Sequence, residues 1–222
     1  MSSFQAAAQD VGIELDSEQL RLLRLTANWL ASLAQASGVS AYNTAQEVLD
    51  RAMAPALAYF AIPETPRQGA MADVGAGNGA LGATMAILEP RLAVDLVDRA
   101  RRAYTACELL EARLRLPNLT AVHLDVRDVT APTYVAAVLR AVARGPAALA
   151  LAQPMLVPGG VLAAYHRSDD AWFCDSFGLF QLVRTVPTTV EGLVLSAYRL
   201  TGPRVLSSVD HSVDDSGPRP VP

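Results

Sequence analysis

Residues 71–82 read Met71-Ala72-Asp73-Val74-Gly75-Ala76-Gly77-Asn78-Gly79-Ala80-Leu81-Gly82, and the fold follows from them. An apolar run carrying Asp73 leads into three glycines spaced by single residues, and a second apolar segment starts at Ala80. That order spells a strand, a tight turn and the first turn of a helix. Glycine tolerates positive φ and puts no Cβ between the backbone and a ligand. The turn is therefore expected to offer bare amide groups beside a helix N-terminus, where the dipole is positive.

A nucleotide-like cofactor suits such a turn. Gly75, Gly77 and Ala80 satisfy the relaxed dinucleotide fingerprint. Two features favour S-adenosylmethionine over a nicotinamide: the third glycine at Gly79, and Asp73, placed to receive a methionine ammonium directly or through water.

Downstream of the turn, strands alternate with helices. The pattern predicts strands at 70–74, 92–97, 119–124, 134–139 and 161–165, with helices over 80–88, 100–114 and 146–156. Such alternation implies a parallel, doubly wound sheet with right-handed crossovers. Segments 179–186 and 193–200 lack an intervening helix and read as a terminal antiparallel hairpin, giving seven strands. Upstream, residues 1–15 are weakly patterned. Asp16 with Gln19 forms a capping box before a helix reaching Ser37 and closed by Gly38. Thr44 with Glu47 starts a second helix, which Pro55 should kink or divide. The expected organisation is a helical cap over 1–66, an α/β domain of the class I, Rossmann-like methyltransferase type over 67–200, and a polar, proline-rich tail over 201–222 expected to lack order.

Composition narrows the function classes. Of 222 residues, 51% are apolar and 18% charged, as in a globular protein. No apolar run reaches the roughly 20 residues that span a bilayer, and the N-terminus lacks the features of a signal peptide, so no membrane association and a cytoplasmic location are expected. Two cysteines and three scattered histidines (His123, His166, His211) give no metal-ligand spacing. All 18 basic residues are arginine and the net charge is −4, so a nucleic-acid role needs a local arginine patch or a partner.

In a doubly wound sheet, ligands lie beyond the carboxyl ends of the strands. Asp98 ends the second strand, 23 residues after Gly75, where a carboxylate can accept both ribose hydroxyls or N-cap the next helix. Asp125 follows the third strand, placed for an adenine amine while the Val126 amide donates to a ring nitrogen; Asp128 competes for that role. Arg140, after the fourth strand, faces the expected methyl acceptor and can hold a phosphate or stack on a base. Arg99, Arg101 and Arg102 cluster beside Asp98, and His166 ends the fifth strand.

These residues resemble a known family. The two-helix cap with Tyr42-Asn43-Thr44-Ala45, the Asp73-Val74-Gly75-Ala76-Gly77 loop with Gly79, Leu96-Val97-Asp98 with Arg102, Arg140-Ala141-Val142 and Leu156-Val157-Pro158-Gly159-Gly160 are similar to the glucose-inhibited division protein B family. These are the bacterial methyltransferases of guanine N7 in small-subunit ribosomal RNA. The similarity runs over roughly residues 15–200. It implies S-adenosylmethionine held by Asp73, Gly75, Ala76, Gly77, Gly79, Asp98, Arg99, Asp125, Val126 and Arg140, and ribosomal RNA or the small subunit as partner. Acceptor-side candidates are Arg140, His166 and Asn43. Departures cluster on that side. Ala52 and Pro55-Ala56 stand where the family has histidine and Asp-Ser, Ala80-Leu81 replaces Phe-Pro, Leu139 replaces serine, and His166 replaces lysine. A methyltransferase of small molecules or proteins, or a non-catalytic homologue that binds cofactor or a partner, is the alternative.

Overall fold

The computed structural model of the chain describes residues 2–37, 42–143, 145–170 and 176–201; the expected helix stop at Gly38 and the tail beyond Thr201 lie outside them. Eight strands, β1 (Gly69–Val74), β2 (Leu92–Asp98), β3 (Leu119–His123), β4 (Tyr134–Arg140), β5 (Leu156–Arg167), β6 (Ser176–Phe177), β7 (Phe180–Pro187) and β8 (Leu193–Leu200), form one sheet. Their spatial order is β3-β2-β1-β4-β5-β8-β7-β6. The first five run parallel and the last three add antiparallel. All seven expected strands are present, and the two-residue β6 extends the hairpin edge.

The order reverses between β1 and β4, so their carboxyl ends splay apart and leave a crevice. Side chains alternate across the sheet. Met71 of β1 joins the core beneath the cap and α5 (Ala80–Leu88), whereas Ala72 and Val74 join the core beneath α7 (Pro146–Ala152). Every residue of α5 is buried, consistent with a helix enclosed on all sides.

The N-terminal helices share that first core. α1 (Ser2–Asp10) forms where the sequence is weakly patterned, anchored by Phe4 and Ala8, one turn apart and both buried. α2 (Ser17–Ser37) starts on the expected capping box, and Gln19 does a second job: its Nε2 donates to the Ile87 carbonyl at 3.0 Å, capping the end of α5. The second helix is divided around Pro55, as expected. α3 (Ala45–Glu47), begun by the Thr44–Glu47 box, widens into a π-helical turn at Val48–Met53, tightens into a 3₁₀ turn at Ala54–Ala56 and resumes as α4 (Leu57–Phe60). Proline has no N–H for the carbonyl four residues back, which is Arg51.

The expected helix over 146–156 stops early. After α7 comes a 3₁₀ turn at Gln153–Met155, and β5 starts at Leu156 instead of Val161. Tyr134 pairs Leu156 while Ala136 pairs Val161, so Pro158-Gly159-Gly160 sits in a bulge within the strand.

Candidate functional site

The crevice holds a cavity of about 470 Å³ at the carboxyl ends of β1 to β4. Val74, Gly75, Val97, Asp98 and Arg99 line one side, Leu124 to Arg127 another, and Ala141, Val142 and Leu151 the third. Gly75, Gly77 and Gly79 all have positive φ, between 63° and 76°. A Cβ on Gly77 would meet nothing closer than the Gly75 carbonyl at 3.9 Å, so its backbone face is open. At Gly75 the space a Cβ would take is filled by Val142, whose Cγ2 would lie 2.4 Å away.

Five of the loop's amides are already engaged. Gly75 and Ala76 N–H both donate to the Val97 carbonyl (2.8 and 3.1 Å), Gly77 N–H to Asp98 Oδ2 (3.0 Å), Gly79 N–H to the Ala76 carbonyl (2.9 Å) and Ala80 N–H to Asn78 Oδ1 (3.2 Å). A diphosphate would have to displace these acceptors. A ligand that enters by close approach, carrying hydroxyls and an ammonium, meets no such competition.

Asp98 stands at the floor of the cavity, 8% exposed. Its Oδ1 accepts from Ala100 N–H at 2.8 Å, so the N-terminal turn before α6 (Arg101–Leu114) and the glycine loop are both fastened to one carboxylate. Each oxygen keeps a lone pair for a ribose hydroxyl. Asp125 lies two residues past β3 and caps the 3₁₀ turn Val126–Asp128. Arg127 pairs with it through two guanidinium nitrogens (Nε–Oδ1 2.9 Å), and that hydrogen bonding holds its carboxyl well below the usual carboxylate range. Val126 lines the cavity beside it, whereas Asp128 borders the outer, more open recess with Arg99 and His123. The Arg99 side chain is 70% exposed and stands 3.7 Å from Asp125.

Asp73 is placed differently from the sequence expectation. Strand alternation turns it away from the cavity and under α5, where Oδ2 accepts from Gly82 N–H at 2.8 Å. A Cβ on Gly82 would lie 2.8 Å from that oxygen, so glycine there is what lets the helix sit on the carboxylate. Burial pushes the Asp73 carboxyl up to about 6, against the Gly82 hydrogen bond and the Arg140 charge, which pull it down.

A second, smaller cavity of about 180 Å³ lies on the other side of the β4 end, lined by Arg140, Ala141, Ala143, Tyr165, His166, Arg167, Asp170 and Leu193. Arg140 Nη1 donates to the Ala52 carbonyl at 3.0 Å and to the Arg51 carbonyl at 3.4 Å, the group that Pro55 cannot serve. Tyr165 Oη donates to the Pro55 carbonyl at 3.0 Å, a second tie to the broken helix. Both His166 nitrogens are engaged: Nδ1 with the Arg167 carbonyl (2.8 Å) and Nε2 with Ser196 Oγ (2.9 Å). The carbonyl can only accept, so Nδ1 carries the proton, and Ser196 Oγ then donates to Nε2. Burial lowers the pKa of His166, keeping this neutral tautomer, and the ring offers the cavity a face instead of a hydrogen bond. Asn43 is exposed, with its N–H donating to Glu47 Oε2 at 3.0 Å, and does not line either cavity. Among the described residues, no group of three His, Cys, Asp or Glu side chains could hold a metal, and no helix is long and apolar enough to cross a membrane.

An S-adenosyl group fits these residues: an open Gly77 face, a carboxylate on the cavity floor and an apolar far wall of Leu124, Val126 and Leu151. Sequence reading missed Leu151, Val142 and Ala141. Leu151 belongs to an apolar helix that reads as plain core, and the other two, though part of the Arg140-Ala141-Val142 motif, reach the cavity through a left-handed turn that residue order does not reveal.

The family profile "rRNA small subunit methyltransferase G" matches residues 19–176. The Leptothrix cholodnii protein "Ribosomal RNA small subunit methyltransferase G" is 30% identical over 158 residues, covering 70% of this chain and 72% of its own. A Chromohalobacter salexigens protein of the same name is 28% identical over 170 residues, covering 75% and 78%. Among solved structures, the S-adenosylmethionine-dependent methyltransferase SibL in its apo form superposes with a TM-score of 0.54 at 14% identity, covering 71% of this chain and 56% of that one, which establishes the likeness of fold.

Proposed function

Because the chain belongs to the ribosomal RNA small subunit methyltransferase G family, we propose that it transfers a methyl group from S-adenosylmethionine to N7 of a guanine in small-subunit ribosomal RNA. The observation that carries this reading is the cavity at the β1/β4 switch, with Asp98 on its floor beside the open Gly77 backbone and a second cavity adjoining across the β4 end. S-adenosylmethionine supplies an electrophilic methyl on sulfur.

The chain's part is alignment and exclusion of water. Asp98 accepts from the ribose hydroxyls, Asp125 and the Val126 amide recognise the adenine edge, and Gly75 to Gly79 lets the amino-acid portion approach. Guanine N7 carries an available lone pair, so transfer needs no general base. This agrees with a second cavity whose histidine already has both nitrogens committed. Arg140 holds the β4 end and the cap in register across that cavity. The target guanine must be splayed out of its stack to enter. Such a substrate implies work on the small subunit in the cytoplasm, the cap and the sheet acting together on the RNA.

Incubating the protein with tritiated S-adenosylmethionine and undermethylated small-subunit RNA should give incorporation at a single guanine N7. Cofactor binding without incorporation would reject the RNA assignment.

A further inference from the structure

The backbone that leaves β4 lines both cavities in turn. Going outward from β4, Arg140 lines the smaller cavity, Val142 lines the larger one, and Ala143 lines the smaller again. Ala141 alone in this stretch lines both. Its φ is +61°, in the left-handed region that alanine rarely enters. The conformation does a specific job. It turns Val142 onto Gly75, where Cγ2 occupies the space of the missing Cβ, while Arg140 on the other side is pinned to the cap carbonyls. The partition is thus clamped at both neighbours of Ala141, itself an exposed residue that lines both cavities.

We propose that Ala141 is the aperture of methyl transfer: the cofactor's reactive carbon and the acceptor nitrogen meet over its Cβ, and the side chain there sets whether they can touch. This rests on the methyltransferase reading and adds to it the residue that meters access between donor and acceptor cavities. The left-handed conformation matters because it holds Val142 against Gly75. A residue in extended backbone at this position would carry Val142 off Gly75 and reshape the donor wall.

Ala141→Asn is the discriminating substitution. Asparagine tolerates the left-handed region, so the backbone is kept while an amide enters the aperture. Cofactor affinity, measured by calorimetry with S-adenosylhomocysteine, should stay within about threefold of wild type, with an unchanged unfolding midpoint. Transfer to undermethylated small-subunit RNA should fall by about 10²-fold, the scale expected when reacting atoms are held about 1 Å out of line. A second readout needs no acceptor: wild type loaded with S-adenosylmethionine ¹³C-labelled at the methyl should show a nuclear Overhauser effect from that methyl to the Ala141 methyl. Unimpaired transfer by Ala141→Asn, a loss of affinity parallel to the loss of transfer, or a labelled methyl whose cross-peaks go to other residues and not to Ala141 would each overturn the proposal. If wild type itself methylates no ribosomal RNA, the substrate reading fails, and the Overhauser effect still decides the aperture.

Discussion

Asp98 Oδ2 accepts a hydrogen bond from the backbone N–H of Gly77 at 3.0 Å, 21 residues away in the chain. One carboxylate at the end of β2 therefore fixes the shape of the glycine loop at the end of β1, as well as standing where a ribose would lie. Loop and sugar site are one construction, and changes to Asp98 reach both.

Asp98→Ala should weaken S-adenosylhomocysteine binding by about tenfold or more, the scale of one or two lost hydrogen bonds. Asp98→Asn can still accept from Gly77 through its amide oxygen, so it should lose less. Calorimetric titration of the three proteins checks the order, and equal affinities in all three would remove Asp98 from the site.

Asp73 gives a pH signature. Its carboxyl is raised to about 6 from an ordinary 3.8, so between those values the folded chain holds a proton that the unfolded chain has released. The group's contribution to stability is fully present below about pH 4 and is lost as the pH rises through 6. Asp73→Asn removes that dependence. The variant should gain about 3 kcal/mol on wild type between pH 4 and pH 7.5, by the 1.36 kcal/mol per unit of linkage. Denaturant unfolding at both pH values measures it, and a pH-independent difference would mean Asp73 is ionised throughout.

Arg140 ties the β4 end to the cap through the Ala52 and Arg51 carbonyls. Arg140→Ala should cost about 1.5–3 kcal/mol, as for hydrogen bonds from a charged donor, with Arg140→Lys intermediate. Proteolysis at residues 48–56 should quicken in the same order. An unchanged unfolding midpoint in Arg140→Ala would show that the tie contributes nothing.

Gln19 links two helix ends far apart in the chain: its backbone N–H and Oε1 complete the α2 capping box with Asp16, and its Nε2 caps α5 at Ile87. Gln19→Ala should cost about 1–2 kcal/mol, the usual range for a lost cap. Amide exchange at Leu88 and Glu89 should speed up although neither residue is altered. Exchange confined to residues 16–20 would contradict the link.

Much of this was legible in residue order. The strand-loop-helix at 71–82, the two capping boxes, the break at Pro55 and the terminal hairpin all follow from local chemistry that tertiary packing did not override. What was not legible has identifiable causes. α1 buries Phe4 and Ala8 fully and Ala7 in part, too few large apolar residues to show a period. Pro158-Gly159-Gly160 reads as a stop but is absorbed by a bulge, so β5 begins before it. Asp73 points under α5 because the strand pleat gives Val74 and Gly75 to the cavity, and the loop amides are satisfied by Val97, a strand away in sequence. The Val142 contact depends on the left-handed Ala141, which no composition announces.

A crystal structure with S-adenosylhomocysteine bound tests the central claim most directly. The predicted result is a ribose with both hydroxyls within hydrogen-bonding distance of Asp98, the adenine beside Asp125 and Val126, and the sulfur close to Ala141. A ligand bound elsewhere, or a cavity that stays empty at saturating concentration, would contradict it.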